Sequence, residues 1–433
     1  MIAVRQLPAS TALEGVTSRA RGLADAAQQA AVTWPQRLFD SNTVSGLGLL
    51  RRHRPVLAIP VLPVVVTRRE DVLAVLADAD TFATPYAERL PGPFVLGLAG
   101  AEHERRRGEL RAVLRREDLG DLADLAGARA VECVERARAA GSLDVGTDLV
   151  HPVLDTVVGD YLGAPGPDPA TQLRWARDVF QDIFLNAHGL RSVRRRAELA
   201  AQEMSTHLDS LVAARRAGAG LSGVAPQVAD PLGVVLGRLL TQPGAAGAPD
   251  DRDIRYDLIG LAIGWLWHGA RAALIAVDEL LERPGALAQA REAARAGDLE
   301  RLRRVLWEVY RFRPVQVGLP RTCRRDTTLA VGPVRGARIR AGTAVLAGTH
   351  SAMWDEAAVP DPDRFDPTRA DDQYLVFGAG PHSCLGEHIM RVQLPALLAP
   401  LLRDGGLRRV AGPAGRMRWD GPSPDGLRVH LGA

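Results

Sequence analysis

The 433-residue sequence has few cysteines, no lysine and little net charge. Its three cysteines, Cys133, Cys323 and Cys384, include no closely spaced pair, so the sequence predicts neither a disulfide framework nor a structural zinc site. Sparse cysteines favour a reducing, cytoplasmic location. All 54 basic residues are arginine, and 51 acidic residues leave a net charge of only +3. This small excess argues against a nucleic-acid partner.

Long hydrophobic runs are also missing. The first thirty residues contain no continuous apolar segment, so we expect no signal peptide and no membrane anchor. The longest early apolar run, residues 56–66, is interrupted by Pro60 and Pro63. It is far shorter than the roughly 20 residues that a membrane-spanning helix needs. This run therefore predicts two short strands.

Helical periodicity dominates the rest of the chain. The predicted helices cover residues 72–79, 122–140, 173–185, 196–216, 254–282 and 299–311. The predicted strands are short, at residues 56–59, 64–67, 329–331, 344–348 and 427–431. Residues 217–253 are predicted to form a flexible connection with a short helix at 232–240. Residues 360–377 are predicted to form an irregular loop. The pattern predicts a mainly α (α+β) protein with small sheets, with an N-terminal arm (1–50) and a single domain (51–433).

The segment Phe377-Gly-Ala-Gly-Pro-His-Ser-Cys384-Leu-Gly386 is the most informative part of the sequence. Glycines let the backbone bend tightly and approach a ligand closely. The cysteine precedes a predicted helix, whose free amides and dipole favour a thiolate. One thiolate cannot form a zinc cage, but it can be an axial ligand of haem iron. Phe377 is placed to shield the sulfur, and Gly386 to let a flat macrocycle approach.

This segment resembles the haem-binding loop of the cytochrome P450 family, and further motifs follow the family's order. Glu308-Val-Tyr-Arg311 resembles the ExxR motif, in which the acid and the arginine share one helix face. The resemblance implies that Arg364, in Pro362-Asp-Arg-Phe365, completes a structural triad. It also implies the P450 fold, with haem b held between a long distal helix and the cysteine loop.

Two propionates of a haem need cationic partners. His103 and Arg107 resemble the family's HxxxR pair, while Arg321 and His382 match two other propionate-binding positions. The planar guanidinium of arginine suits a carboxylate. The resemblance therefore implies a haem site built from His103, Arg107, Arg321, Phe377, His382, Cys384 and Gly386, with Cys384 as the metal ligand.

The distal helix departs from the family pattern. Members of the family usually carry an acid–alcohol pair there, which delivers protons for O–O cleavage. In this sequence the pair aligns with Trp267 and His268, with an alignment error of about one residue. Neither side chain carries a carboxylate or a hydroxyl. The candidate catalytic residues are therefore His268 as a proton donor, Arg271 as a binder of a carboxylate or peroxide, and Trp267 in the pocket.

Three reactions remain open for such a haem-thiolate enzyme. We expect monooxygenation of a medium-sized, specialised bacterial metabolite. Peroxide-driven oxidation and redox-neutral rearrangement or dehydration are alternatives, as are unusual radical reactions and a non-enzymatic sensor or carrier. Oxygen-dependent turnover implies a separate ferredoxin and reductase, which would dock near Arg107, Arg111, His388 and Arg391. The basic segment 191–196 suggests a contact with an acidic carrier protein or with a redox partner.

Overall fold

The structure is a computed structural model that describes residues 46–58, 63–186, 189–217, 234–241, 250–329, 337–420 and 423–432. Helices form most of the described chain. They are α1 (46–53), α2 (Arg69–Ala77), α3 (Gly100–Val113), α4 (Leu119–Arg138), α5 (His151–Val157), α6 (Pro169–Phe180), α7 (Arg191–Arg216), α8 (Val234–Thr241), α9 (Asp251–Ile263), α10 (Gly269–Glu282), α11 (Pro284–Ala296), α12 (Leu299–Phe312), α13 (Thr349–Ala352) and α14 (Glu387–Leu402).

The strands are short and form four small sheets. They are β1 (Val56–Leu57), β2 (Val64–Val66), β3 (Phe82–Ala83), β4 (Ser142–Asp144), β5 (Leu319–Cys323), β6 (Thr327–Leu329), β7 (Ala337–Ile339), β8 (Ala344–Ala347), β9 (Arg408–Arg409), β10 (Arg418–Asp420), β11 (Ser423–Gly426) and β12 (Arg428–His430). The largest sheet has the order β1-β2-β8-β5-β3, with β2 and β8 parallel. A second sheet has the order β4-β12-β9, and β6-β7 and β10-β11 are two-stranded.

Residues 251–282 form one long helical path through the core. Helix α9 passes into α10 through a π-helical turn at Gly264–His268. Apolar residues surround this path on nearly every side, as expected for a helix buried all round. It is long and apolar enough to cross a membrane, but 78% of its most apolar window is buried inside the protein. In this fold it is a core helix.

Two helices hold the loop that carries Cys384. Helix α12 begins after Asp298, whose side chain accepts a hydrogen bond from the Arg301 amide. Its apolar residues Leu302, Val305, Leu306 and Val309 recur at helical spacing and are buried. Helix α14 packs against α12 and α4. The segment from Met353 to Gly386 between these helices consists mainly of turns, with one short 3₁₀ turn at Asp371–Gln373.

The predicted fold class is confirmed, and all six predicted helices are present with shifted ends. The periodicity did not predict α5, which π-helical turns flank at Val145–Val150 and Val158–Leu162, nor α11. Parts of the predicted strands 56–59 and 329–331 and of the flexible connection lie outside the described residues. Most of the predicted N-terminal arm does too, and its proposed end at residue 50 falls inside α1.

Candidate haem site

The loop before α14 places the thiol of Cys384 at a cavity in the protein. Gly378 and Gly380 have φ values of +72° and +74°, a left-handed conformation that favours glycine. A Cβ on Gly380 would also lie 2.3 Å from the carbonyl oxygen of Leu76. The Cys384 amide donates to the Phe377 carbonyl at 2.9 Å, which closes the loop. The glycines thus bend the chain and let it pack tightly against α2.

Two opposing effects act on the Cys384 thiol. Burial raises its pKa, while the backbone amides of Gly386 and Glu387 and the nearby Arg107 lower it. Burial is the larger effect, so the pKa lies above its ordinary value. The surface that Cys384 exposes faces the cavity. The helix N-terminus therefore does not by itself lower the pKa of Cys384, and a bound iron would favour the thiolate.

The cavity extends from Cys384 to the π-helical turn at Gly264–His268. It encloses roughly 1920 Å³ of empty space, counted out to its open side. No aspartate or glutamate of the described chain lines it. Apart from the residues near Cys384, the lining is mainly apolar and aromatic, with contributions from Phe94, Phe184, Ile259, Trp265 and Leu319.

Four basic side chains line the cavity near Cys384. They are His103, Arg107, Arg321 and His382. The imidazoles of His103 and His382 lie 4.1 Å apart, and burial lowers the pKa of His382 to about 4. Arg107 donates to the Ser383 carbonyl and hydroxyl at 2.7 and 3.0 Å, and Arg321 donates to the Pro320 carbonyl. Burial also lowers the pKa of Arg107 and Arg321. No carboxylate of the described chain lines this wall to offset that effect.

These residues fit a haem. Buried cations without a lining carboxylate are costly, and the two propionates of the cofactor would neutralise them. Gly386 has an ordinary φ of −87°, and a Cβ there would meet only the Cys384 sulfur, at 4.0 Å. Protein neighbours therefore do not require this glycine, whereas a macrocycle lying on the cysteine loop would. Phe377 lines the cavity and packs against Trp307.

Comparison with known proteins agrees with this geometry. Residues 286–404 match the family model Cytochrome P450. The mycinamicin IV hydroxylase/epoxidase of Micromonospora griseorubida is 28% identical over 372 residues, which cover 82% of this chain and 85% of that protein. The nocardicin C N-oxygenase of Nocardia uniformis subsp. tsuyamanensis is 29% identical over 402 residues, which cover 86% and 91%. This chain belongs to the cytochrome P450 family.

The P450 fold is also seen in solved structures. P450BioI in complex with hexadec-9Z-enoic acid ligated acyl carrier protein aligns with a TM-score of 0.76 at 20% identity, over 93% of this chain and all of that chain. Membership makes this P450 a haem-thiolate oxidoreductase with haem b as its cofactor. P450 chemistry acts on a small-molecule substrate and typically draws on redox partners.

The structural triad of this P450 differs from the prediction. Glu308 and Arg311 form a fully buried ion pair at 2.7 Å, as expected. The third member is Arg369, whose Nε lies 3.3 Å from Glu308 Oε1. Arg364 is wrong as a member, because its side chain is exposed and only its carbonyl accepts from Arg311 and Arg369. Tyr374 also donates to Glu308, at 3.0 Å. The buried carboxylate is thus fully hydrogen-bonded.

His268 lies on the distal wall of the cavity, as predicted, but its chemistry is different. It packs edge-on against Phe180 and Phe184. Burial, followed by the charge of Arg271, lowers the pKa of His268 to about 4. Its Nε2 lies 3.0 Å from Nε2 of Gln316. The imidazole is therefore neutral near pH 7. This does not support the predicted role of His268 as a proton donor at that pH.

The other two candidate catalytic residues lie behind the cavity wall. The Trp267 indole donates to the Ser423 hydroxyl at 3.2 Å, and the ring packs against Phe180. Arg271 is buried, donates from Nε to the Val315 carbonyl at 2.8 Å and approaches the Trp419 ring. Neither side chain is among the described residues that line the cavity. The structure therefore gives them supporting positions behind the wall.

Sequence reasoning missed two polar contacts at the distal wall. Trp265 lines the cavity, and its indole donates to Gln393 Oε1 at 2.7 Å. Gln316 also lines the cavity, and nothing in the sequence paired it with His268. Arg107 also differs from one expectation. It lines the cavity, so it does not belong to a docking surface for a redox partner.

Proposed function

We propose that this P450 is a monooxygenase that inserts one oxygen atom into an apolar, medium-sized specialised metabolite. The observation that carries the proposal is one cavity that Cys384, four basic side chains and many apolar and aromatic residues line together. The mycinamicin and nocardicin relatives, by their names, hydroxylate, epoxidise or N-oxygenate a specialised metabolite. They support the same class of substrate here.

Different residues of the cavity would bind the haem and the substrate. Cys384 would ligate the iron, and His103, Arg107, Arg321 and His382 would pair with the propionates. When bound, the haem supplies the redox chemistry, which a thiolate ligand favours by donating electron density. The apolar wall excludes water and orients the substrate through shape.

Proton delivery separates monooxygenation from its alternatives. No carboxylate of the described chain lines the cavity, and His268 is neutral with its Nε2 engaged. Protons for oxygen activation would therefore come from water or from the substrate. The same observation favours peroxide-driven oxidation or a redox-neutral rearrangement as the second candidate function, since a rearrangement needs no such proton supply and peroxide already brings two protons.

Electron supply requires a partner surface if the enzyme uses dioxygen. The side chain of Arg111 is exposed near the end of α3, and His388 on α14 approaches the same helix end through the Leu114 carbonyl at 3.0 Å. Arg391 also lies on α14, where it pairs with Asp371 and Glu387. We propose that Arg111, His388 and Arg391 form the docking site for a ferredoxin-like protein.

A carrier-bound substrate is a further possibility for delivery. Arg191, Arg195 and Arg196 are exposed on the first turns of α7. Arg194 in the same turns donates to the Glu88 carbonyl, which joins α7 to the loop that lines the cavity. This basic rim suits an acidic carrier protein. The acyl carrier protein bound to P450BioI supports the proposal.

Two measurements test the proposed function. The reduced protein with carbon monoxide should show the strongly red-shifted Soret band of a thiolate-ligated haem. Turnover of a panel of apolar metabolites should then depend on ferredoxin, reductase and NADPH, with one atom of labelled dioxygen in the product. Turnover with hydrogen peroxide alone would favour the second candidate. A thiolate band without any turnover would favour a sensor or carrier.

A further inference from the structure

Gln316 provides an amide group in a cavity whose lining is mainly apolar. It lies at the cavity between Val315 and the start of β5 and contacts His268 of the π-helical turn. Its amide nitrogen is 3.0 Å from Nε2 of His268. No hydrogen bond of its Oε1 is found within the described residues, and Gln316 is half-buried with its accessible surface at the cavity.

The hydrogen-bond arrangement determines which atom of Gln316 faces the cavity. The backbone of Gly264 raises the pKa of His268, as an acceptor for an imidazole N–H does. An amide nitrogen can only donate, so the His268 Nε2 that Gln316 contacts is an acceptor, and the single N–H of the neutral imidazole lies on Nδ1. The Gln316 amide must then present an N–H to Nε2. Its Oε1 and second N–H remain for a ligand.

The surroundings of His268 keep this arrangement in place. Phe180 and Phe184 hold the imidazole edge-on at centroid distances of 4.7 and 5.1 Å. The ring sits at the end of the π-helical turn, where a helix often carries a functional group. His268 is thus a positioning residue that acts through Gln316, and it donates no proton into the cavity.

We propose that Gln316, oriented by His268, is the polar anchor of the substrate pocket. The substrate is then an apolar molecule that carries a hydroxyl or N–H group, which donates to Gln316 Oε1. Moving such a polar group from water into the pocket costs little free energy only if the group forms a hydrogen bond there. The inference rests on the proposed function, because it assumes that the substrate occupies this cavity above a bound haem.

The test uses alkylimidazoles in matched pairs, with chains of graded length that end either in a methyl or in a hydroxyl group. The imidazole ligates the iron, so every probe enters the cavity, and Kd is measured from the Soret shift. The wild-type holoprotein should prefer the hydroxyl probe at one chain length, relative to its methyl partner. Gln316→Leu should reduce this preference by about three- to tenfold, the effect of one hydrogen bond.

Three further variants separate positioning from general damage. His268→Phe keeps an aromatic ring between Phe180 and Phe184, and should lose most of the same preference. The double variant should lose no more than Gln316→Leu alone, because both changes remove one interaction. Thr84→Val is the matched control, since Thr84 lines the cavity but its hydroxyl donates to the Leu96 carbonyl. It should leave the preference unchanged.

The outcomes distinguish the anchor from the proposed function. An equal preference in wild type and Gln316→Leu, or no preference at any chain length, would overturn the anchor while the haem-thiolate assignment stands. Additive losses in the double variant would overturn the role of His268. Protein that lacks the red-shifted carbon monoxide band would contradict the proposed function, and the anchor with it.

Discussion

At the scale of single residues, Cys384 is the proposed iron ligand. Cys384→Ala should abolish the red-shifted carbon monoxide band, because the variant has no sulfur to ligate iron. Absorbance of the reduced, purified variant checks this. Cys133→Ala is the control, since Cys133 is a buried free cysteine on α4 that does not line the cavity. An unchanged band in Cys384→Ala would contradict the assigned ligand.

His268 gives a second prediction at this scale. Its neutral ring, with Nε2 engaged by Gln316, has no proton to give near pH 7. His268→Phe should therefore change kcat by less than about tenfold on a substrate without a hydrogen-bonding group. A general acid contributes about 10²–10⁴-fold. A loss of that size, measured at saturating substrate, would identify His268 as the proton donor after all.

At the scale of elements, Arg369 ties the loop before the cysteine to α12. It contacts Glu308 and donates to the Pro360 and Asp361 carbonyls. Arg369→Ala would leave the two carbonyls without this donor and remove one cation from the buried carboxylate, and each buried polar group left unsatisfied costs about 1–3 kcal/mol. We expect a low yield of haem-loaded protein. Arg364→Ala, at an exposed position, should give a normal yield, and equal yields would contradict the triad.

The π-helical turn offers a second test at this scale, with two glycines as a matched pair. A Cβ on Gly264 meets nothing within 4 Å and lies at the cavity, whereas a Cβ on Gly269 lies 3.2 Å from the fully buried Leu154. Gly264→Ala should therefore weaken binding of bulky azoles without lowering Tm. Gly269→Ala should lower stability by about 1–3 kcal/mol without affecting azole binding. The reverse pattern would contradict the position of Gly264 at the cavity and of Gly269 in the core.

At the scale of the whole molecule, two hydrophobic clusters meet at Val376, which packs against both. One cluster is built mainly from the helices and contains the distal helix. The other lies under the five-stranded sheet and α2. Because the cysteine loop joins them, we propose that residues from 51 onward form one haem domain. This remains a prediction for the segments outside the described residues.

Stability of the whole fold should depend on pH through a buried histidine outside the cavity. Burial lowers the pKa of His350 to about 4 and outweighs the opposing effect of the nearby Arg311 and Phe312 backbone. The unfolded state, with a pKa near 6.5, binds more protons between these values. His350 therefore costs stability as pH falls from about 6.5 to about 4, by up to about 3 kcal/mol. His350→Phe should flatten the Tm–pH curve there, and an unchanged slope would contradict this.

The sequence by itself determined which residues we propose for haem binding. Cys384, His103, Arg107, Arg321 and His382 were predicted from motifs, and all of them line one cavity. Such motifs are informative because a loop that binds a rigid cofactor must keep its residue types and spacing. Glycines at positive φ add a local signal that does not depend on distant parts of the chain.

Only the tertiary structure decided the distal half and the triad. The π-helical turn at Gly264–His268 changes the helical phase, so that counting residues cannot tell that His268 faces the cavity while Trp267 and Arg271 lie behind it. The contact of His268 with Gln316 joins residues far apart in sequence. Arg369, not Arg364, reaches Glu308 because irregular turns set the path of that loop. No residue periodicity encodes such a path.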